Sequence, residues 1–300
     1  MAMEKIKVTD LAAIVDRLPE ASEKDVVVDG KTEKGFKAIC QGEQVLKIFT
    51  DKYALIQHRD AFAGVLDALL LAEKENVKAA VFQTPGRAYL TVVFPEIVVD
   101  DGAEGIELGF KVSNSHMGEA LKFSGSSTKN TSEFKFFGYR LACSNGMILP
   151  VELEKMTVAD MELTEKKGGI FQKEVRTQKI LAKAGGRIVH IGDADAKVQL
   201  VYQKIMLMYR SVAVVKQYID SMRNRQLTRE EAIKSLEGVF GPRIGASVLS
   251  QFDMEEQTLF GLYNSVTYLA SHSERSEPNK EMLMMAANTI AKKVLSNVDS

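Results

Sequence analysis

Three hundred residues make one large domain or two of ordinary size, and 45 % apolar with 26 % charged residues fits a soluble chain with a sizeable core. The formal net charge of −1 excludes a polycation. No apolar run reaches the roughly 18–20 residues of a membrane helix, the chain opens on no signal-like apolar core, and Cys40 and Cys143 make no disulfide framework, so a reducing, cytoplasmic setting is expected.

Thr9 is placed to cap a short helix from Asp10 to about Arg17. Residues 20–35 read as loop with one short edge strand at Val26–Val28. Strands are expected at 36–41, 45–49 and 53–57, followed by a helix from Arg59 to about Lys74. In that helix Phe62, Val65, Leu66, Leu69 and Leu70 form one apolar stripe. Thr84-Pro85-Gly86-Arg87 marks a hairpin between 78–82 and 89–94. The acidic run from Asp100 to Glu107 reads as a solvated loop. Further strands are expected at 106–113, 120–123 and 134–142, with SGSSTKNTS (124–132) as a mobile loop.

After Pro150 strand signals nearly vanish. Val198, Val201, Ile205, Met208, Val212, Val215, Ile219 and Met222 step by three and four, which predicts a helix over 195–222 with a heptad-like seam. Such a seam serves an intramolecular core or an oligomer. Lys197, Lys204, Lys216 and Arg223 would set like charges against each other in a parallel homodimer. Thr228 and Glu231 form a capping box for a helix ending near Phe240, with Gly241-Pro242 as its stop. Asp253 and Glu256 open a helix carrying Leu259 to Leu269, and Pro278 sits early in a last one. The fold expected is α+β: an N-terminal antiparallel sheet with packed helices (1–150), then an α-helical region with one long helix (151–300).

The chemistry is sparse. His58, His116, His190 and His272 lie far apart, without CxxC or HExxH, so no metal and no cofactor is expected. Cys143 with His190 or His116 is the conceivable nucleophile pair, but a buried small cysteine is the ordinary case. Glu107 and Lys111 with Asp100 or Asp101 resemble nuclease carboxylates only loosely, and no reaction is assigned.

Charge placement is more informative. From Lys166 to Arg229 there are fourteen Lys or Arg and four acids, while Glu96 to Glu107 holds five acids and no base. The residues expected to meet nucleic-acid phosphates are Lys122, Lys129, Lys135, Arg140, Lys183, Arg187, His190 and Lys204. Phe134, Phe136, Phe137 and Tyr139 interleave with them, either as base-stacking surface or as core. Asn145-Gly146 reads as a turn pair with positive φ.

Arg140-Leu-Ala-Cys143-Ser-Asn145-Gly146-Met147 resembles the R-x-x-C-x-N box of a phage/plasmid-like protein family of mobile elements, whose function is uncharacterised. In order with it come His190, the long helix, and Thr258-Leu-Phe-Gly-Leu-Tyr263-Asn264-Ser-Val-Thr267, similar to that family's T-x-x-x-x-Y-N-x-x-T helix. The resemblance spans roughly 50–295 and implies a mobile-element setting in a host cytoplasm. The strands and helix at 36–75 are similar in outline to single-strand-annealing proteins. The expected function is therefore a non-enzymatic nucleic-acid-binding protein acting on single-stranded DNA in replication or recombination. The alternative is a homo-oligomeric structural or protein-interaction factor.

Overall fold

A computed structural model describes residues 3–51, 55–102, 105–117, 131–140, 145–148, 187–189, 194–272 and 277–296, with backbone alone for 131–140, 145, 147–148, 187–189, 194–200, 204, 277 and 278. The architecture is α+β. A large antiparallel sheet runs in the order β1 (Glu4–Lys7), β5 (Asn76–Thr84), β6 (Arg87–Val99), β7 (Ile106–Ser115), β8 (Thr131–Arg140). The outer edge of β8 is shared by β10 (Arg187–Val189) and β9 (Asn145–Ile148). A second antiparallel sheet joins β2 (Ser22–Val28), β3 (Lys31–Gln41) and β4 (Gln44–Thr50).

Turn chemistry explains the hairpins. Asp29 and Gly30 both take positive φ, 49° and 76°, which matches the two-residue turn that right-twisted strands favour. Pro85 and Gly86 close β5 on β6, with Gly86 at φ 70°.

Helices α1 (Val8–Val15) and α2 (His58–Leu71) precede β5. Helix α3 (Ala194–Asn224) is 31 residues, about 46 Å at ~1.5 Å per residue. Then come α4 (Arg229–Glu237), α5 (Pro242–Phe252), α6 (Leu259–His272) and α7 (Glu277–Ser296). The heptad-like stripe of α3 is core: Val201, Ile205, Met208, Val215, Ile219 and Met222 are all buried. They join one continuous apolar cluster with Phe62, Leu69, Phe94 and Phe110. Tyr209 of α3 packs its ring against Phe94 and donates its hydroxyl to Glu96, which also pairs with Lys74 at 2.9 Å. Helix α6 is covered all round from Leu259 to Thr267. Its Thr258 accepts from the Gly261 N–H, Tyr263 donates to Asn288, and Thr267 bonds back to the Asn264 carbonyl. The residues of the T-x-x-x-x-Y-N-x-x-T stretch thus cap and anchor this helix.

Several expectations are corrected. Thr9 lies inside α1 and makes no cap, because β1 runs straight into the helix and the Val8 N–H is taken by the Glu75 carbonyl. Residues 31–35 extend β3 instead of forming loop. Residues 55–57 form no strand. Asp101 and Glu107 are buried, at 1 % and 4 % exposure, so the acidic run is not a solvated loop throughout: Asp101 accepts from the Gly105 N–H, and Glu107 pairs with Lys78 at 2.7 Å. Pro242 begins α5 at its N-terminal turn as well as ending the preceding segment. Asn145 and Gly146 open a strand instead of making the turn. Strand 120–123, the loop at 124–132 as far as residue 130, and Cys143 lie outside the described residues.

Introducing charge at Val201 and Met208 together (Val201→Glu, Met208→Glu) puts two carboxylates where 2 % and 1 % of each residue is exposed. Each uncompensated buried charge costs several kcal/mol. The expected outcome is loss of the cooperative thermal transition in circular dichroism; a folded variant of reduced oligomeric size would contradict the core assignment.

Candidate functional site

Two places in the fold gather chemistry. The first is the end of β7. Alternation along this strand puts Phe110, Val112 and Asn114 on the face that meets α2, and Glu107 and Lys111 on the other. Lys111 pairs with Glu281 of α7 at 3.0 Å and lies 4.9 Å from the Tyr89 ring centre, with both charged side chains buried. The loosely nuclease-like Glu107 and Lys111 therefore hold separate structural ion pairs.

On the α2 side, His58 is the first residue of that helix and His116 follows β7. Their rings stack at 3.8 Å with an 11° interplanar angle. The Asn114 amide donates to His58 Nδ1 at 2.9 Å and to the Ile56 carbonyl at 3.2 Å. His116 Nε2 lies 3.0 Å from that same carbonyl. The network assigns the tautomers: His58 carries its proton on Nε2, and His116 donates from Nε2 and leaves Nδ1 bare. Those two remaining nitrogens, His58 Nε2 and His116 Nδ1, have no hydrogen-bond partner among the described residues. Burial, with the neighbouring His116 second, drives the His58 pKa down to about 3. Burial also lowers that of His116, against the Ile56 carbonyl bond that favours its proton. Both rings are neutral at ordinary pH. Sequence gave no hint of this pair, since 58 residues separate the two histidines and neither sits in a motif.

This cluster lies at the joint between the two sheets. Gln57, next to His58, bonds the Ala21 backbone in both directions, at 2.9 and 2.8 Å. Gly86 donates to Gln41 at 3.3 Å, and the His116 N–H reaches the Gly86 carbonyl at 2.8 Å. A Cβ on Gly86 would touch Leu46 and Met117, which shows how closely the hairpin tip approaches β4.

The second place is the outer edge of β8. Lys135 stands opposite Lys111 on β7, Arg140 opposite Ile106 and Asn145, and Arg187 of β10 opposite Glu133. Three of the eight residues expected to meet phosphate thus lie on two paired strands, β8 and β10, with Lys135 and Arg140 alternating to opposite faces of β8. Lys204 falls within α3, far in sequence from that edge, and its side chain is outside the described residues. Lys122, Lys129, Lys183 and His190 are also outside them. The box residue Gly146 is tied down by its backbone: its N–H donates to Ser271 of α6 at 2.9 Å.

The basic residues of α3 are partly spent inside the molecule. Lys216 is 3.5 Å from Asp100 and 3.6 Å from Asp220. Arg223 pairs with Glu256 at 3.3 Å and stacks 4.8 Å over Phe260. The acidic stretch that seemed separate in sequence thus lies against the basic helix. Among the described residues no group of three His, Cys, Asp or Glu could hold a metal ion, and no helix is long and apolar enough to cross a membrane.

No protein-family model, no curated protein and no solved structure matches the chain.

The histidine pair sets a pH dependence. The unfolded chain protonates His58 near pH 6.5, while the folded chain resists down to about 3. Stability contributed by the neutral ring is full above pH 6.5 and is lost as pH falls towards 3, at about 1.4 kcal/mol per pH unit. Urea unfolding between pH 7 and 5 should show this loss in the native sequence and a flatter profile in His58→Gln. Equal profiles would mean that His58 is not held neutral.

Proposed function

We propose that the protein binds nucleic acid through the phosphate backbone at the β8–β10 end of its large sheet. The observation that carries this reading is the pairing of β10 with β8, which sets Arg187 on the strand neighbouring Lys135 and Arg140 although 47 residues separate Arg187 from Arg140. A sheet edge with cations from separate stretches is suited to following a charged polymer, because phosphate contacts need positive charge at regular spacing and no particular base edge. The internal pairing of Lys216, Arg223, Lys111 and Lys78 with carboxylates supports placing the contact here, since those cations are already neutralised. Single strands are the favoured form, because Phe137 and Tyr139, on the face of β8 opposite that of Phe134 and Phe136, offer stacking partners for unpaired bases. The resemblance of the Arg140–Met147 box adds the setting, replication or recombination of a mobile element. No catalytic step belongs to this reading.

The test is binding to labelled single-stranded DNA, double-stranded DNA and RNA at two or more salt concentrations. For single strands, the log–log slope of affinity against salt should fall by roughly 0.7 for each phosphate contact removed. Lys135→Ala, Arg140→Ala and Arg187→Ala together should therefore reduce the slope by about 2. An unchanged slope removes this edge as the interface; absence of binding at low salt removes the function.

A further inference from the structure

Two sets of hydrogen bonds tie the small sheet β2–β3–β4 to the rest of the chain, and the histidine pair stands behind both. In the first, Gln57 donates to the Ala21 carbonyl at 2.8 Å and accepts the Ala21 N–H at 2.9 Å, one residue before β2 begins. In the second, the Gly86 N–H donates to Gln41, the last residue of β3, at 3.3 Å. Ile56, next to Gln57, gives its carbonyl to both Asn114 and His116. The His116 N–H holds the Gly86 carbonyl at 2.8 Å. The continuous apolar cluster around Phe62, Phe94 and Phe110 includes no residue of β2, β3 or β4.

This network has no place for a further proton. Asn114 uses its one amide nitrogen for both His58 Nδ1 and the Ile56 carbonyl. A proton added to His58 goes to Nδ1, where donor then meets donor. Turning the amide would satisfy His58 but set the Asn114 oxygen against the Ile56 carbonyl. A proton added to His116 goes to Nδ1, which is buried and has no hydrogen-bond partner among the described residues. Two charged rings 3.8 Å apart also repel each other. No carboxylate offsets these costs: burial and His116 act on His58, and burial and the Ile56 carbonyl act on His116. Of the charged groups on the elements packed here, Arg59 of α2 pairs with Glu20 and Asp60, and Arg87 on β6 stands opposite Ser115. The small sheet brings Gln41 and Leu46 to the hairpin tip, and neither carries charge.

We infer that the His58–His116 pair is an acid-sensitive latch, whose protonation breaks the ties through Ile56–Gln57 and Gly86 and releases the small sheet while the large sheet stays folded. The latch makes no use of the β8–β10 edge, so the two assignments stand or fall independently.

Cys40 reads the release. It and Ile39 are neighbours in β3 on opposite faces, and both are buried, at 1 % and 0 % exposure. Three strands alone cannot cover both of their faces, so undocking bares the thiol. The native chain is labelled with a thiol reagent at pH 7 and at pH 5.5, and Cys40 is followed by peptide mass. Its rate, divided by that of the urea-unfolded chain at the same pH, is the opening constant. From an ordinary histidine pKa of about 6.5, that constant should rise about 8-fold if one ring takes up a proton on opening and about 70-fold if both do. Carboxylates stay ionised over this window. His58→Gln with His116→Gln should remove the rise, and His272→Gln, exposed on α6, should leave it. A native ratio that does not change with pH overturns the inference, as does a rise that survives in the double variant. An opening constant equal to that of global urea unfolding at both pH values overturns local release. Those two native-chain readings decide the matter even where the double variant does not fold.

Discussion

Strands β6 and β7 are buried on both faces, and the placement of nearly every other element follows from covering them. All residues from Ala88 to Phe94 and from Ile106 to Val112 are buried. An antiparallel pair in the middle of a sheet normally has one wet face. Here α2 and α3 close the face bearing Phe94 and Phe110, while Lys111 on the other face meets α7. That coverage forces a solution for the polar side chains caught inside. Glu107 and Lys111 are tolerated because each finds an opposite charge, Lys78 and Glu281, within 3.0 Å. Removing one member would strand the other, which costs more than the pair itself contributes. Gly109 belongs to the same constraint: a Cβ there would collide with the Val92 backbone, so the strands approach as closely as they do only with glycine.

How much of this was legible depended on whether the deciding interaction was local. The apolar period of α3 was readable to within two residues at each end, because one stripe faces one core over its whole length. The capping box of Thr228 and Glu231 is formed as its spacing implies, with both reciprocal hydrogen bonds present. Thr84–Arg87 turns the chain as its Pro-Gly pair demands. By contrast β1, with sequence Glu-Lys-Ile-Lys, has no local strand signal and exists only because β5 pairs with it some seventy residues later. Asp101 looked solvated by composition, yet it is buried and takes the Gly105 N–H four residues on, a turn that composition does not reveal. At the candidate site the same division holds. Lys135, Arg140 and Arg187 were identifiable as cations, but only strand pairing puts them on one edge. The stacking of His58 on His116 had no sequence signal at all, because neither residue lies in a pattern that names its partner.

The distribution of charge changes meaning once the fold is known. A chain of net charge −1 with a basic second half invites the idea of one long positive face. The fold divides that half. Arg223 and Lys216 turn back to Glu256 and Asp100, so part of the basic excess closes α3 against the acidic segment before β7. Among the described residues of α3, what is available for a polyanion is therefore smaller and more local than the count of cations implies. This argues for an interface set by strand edges, where spacing is fixed by the backbone, over one set by a helix face.

The arm β2–β3–β4 obeys a different energetics from the sheet it leaves. Its attachment rests on Ala38, Ile39 and Cys40 in the core and on a few hydrogen bonds: Gln57 to both sides of the Ala21 peptide, and Gly86 to Gln41. Five of its large apolar side chains, Val27, Val28, Phe36, Val45 and Ile48, stay about half exposed and gain little from folding of the single chain. A segment with so little burial per residue is the part of a protein expected to open first. The neutral histidines sit beside these attachments: His116 bonds the Ile56 carbonyl directly ahead of Gln57, and Asn114 bonds both that carbonyl and His58. Both rings are buried, at 1 % and 0 % exposure, so water reaching them would restore their ordinary basicity.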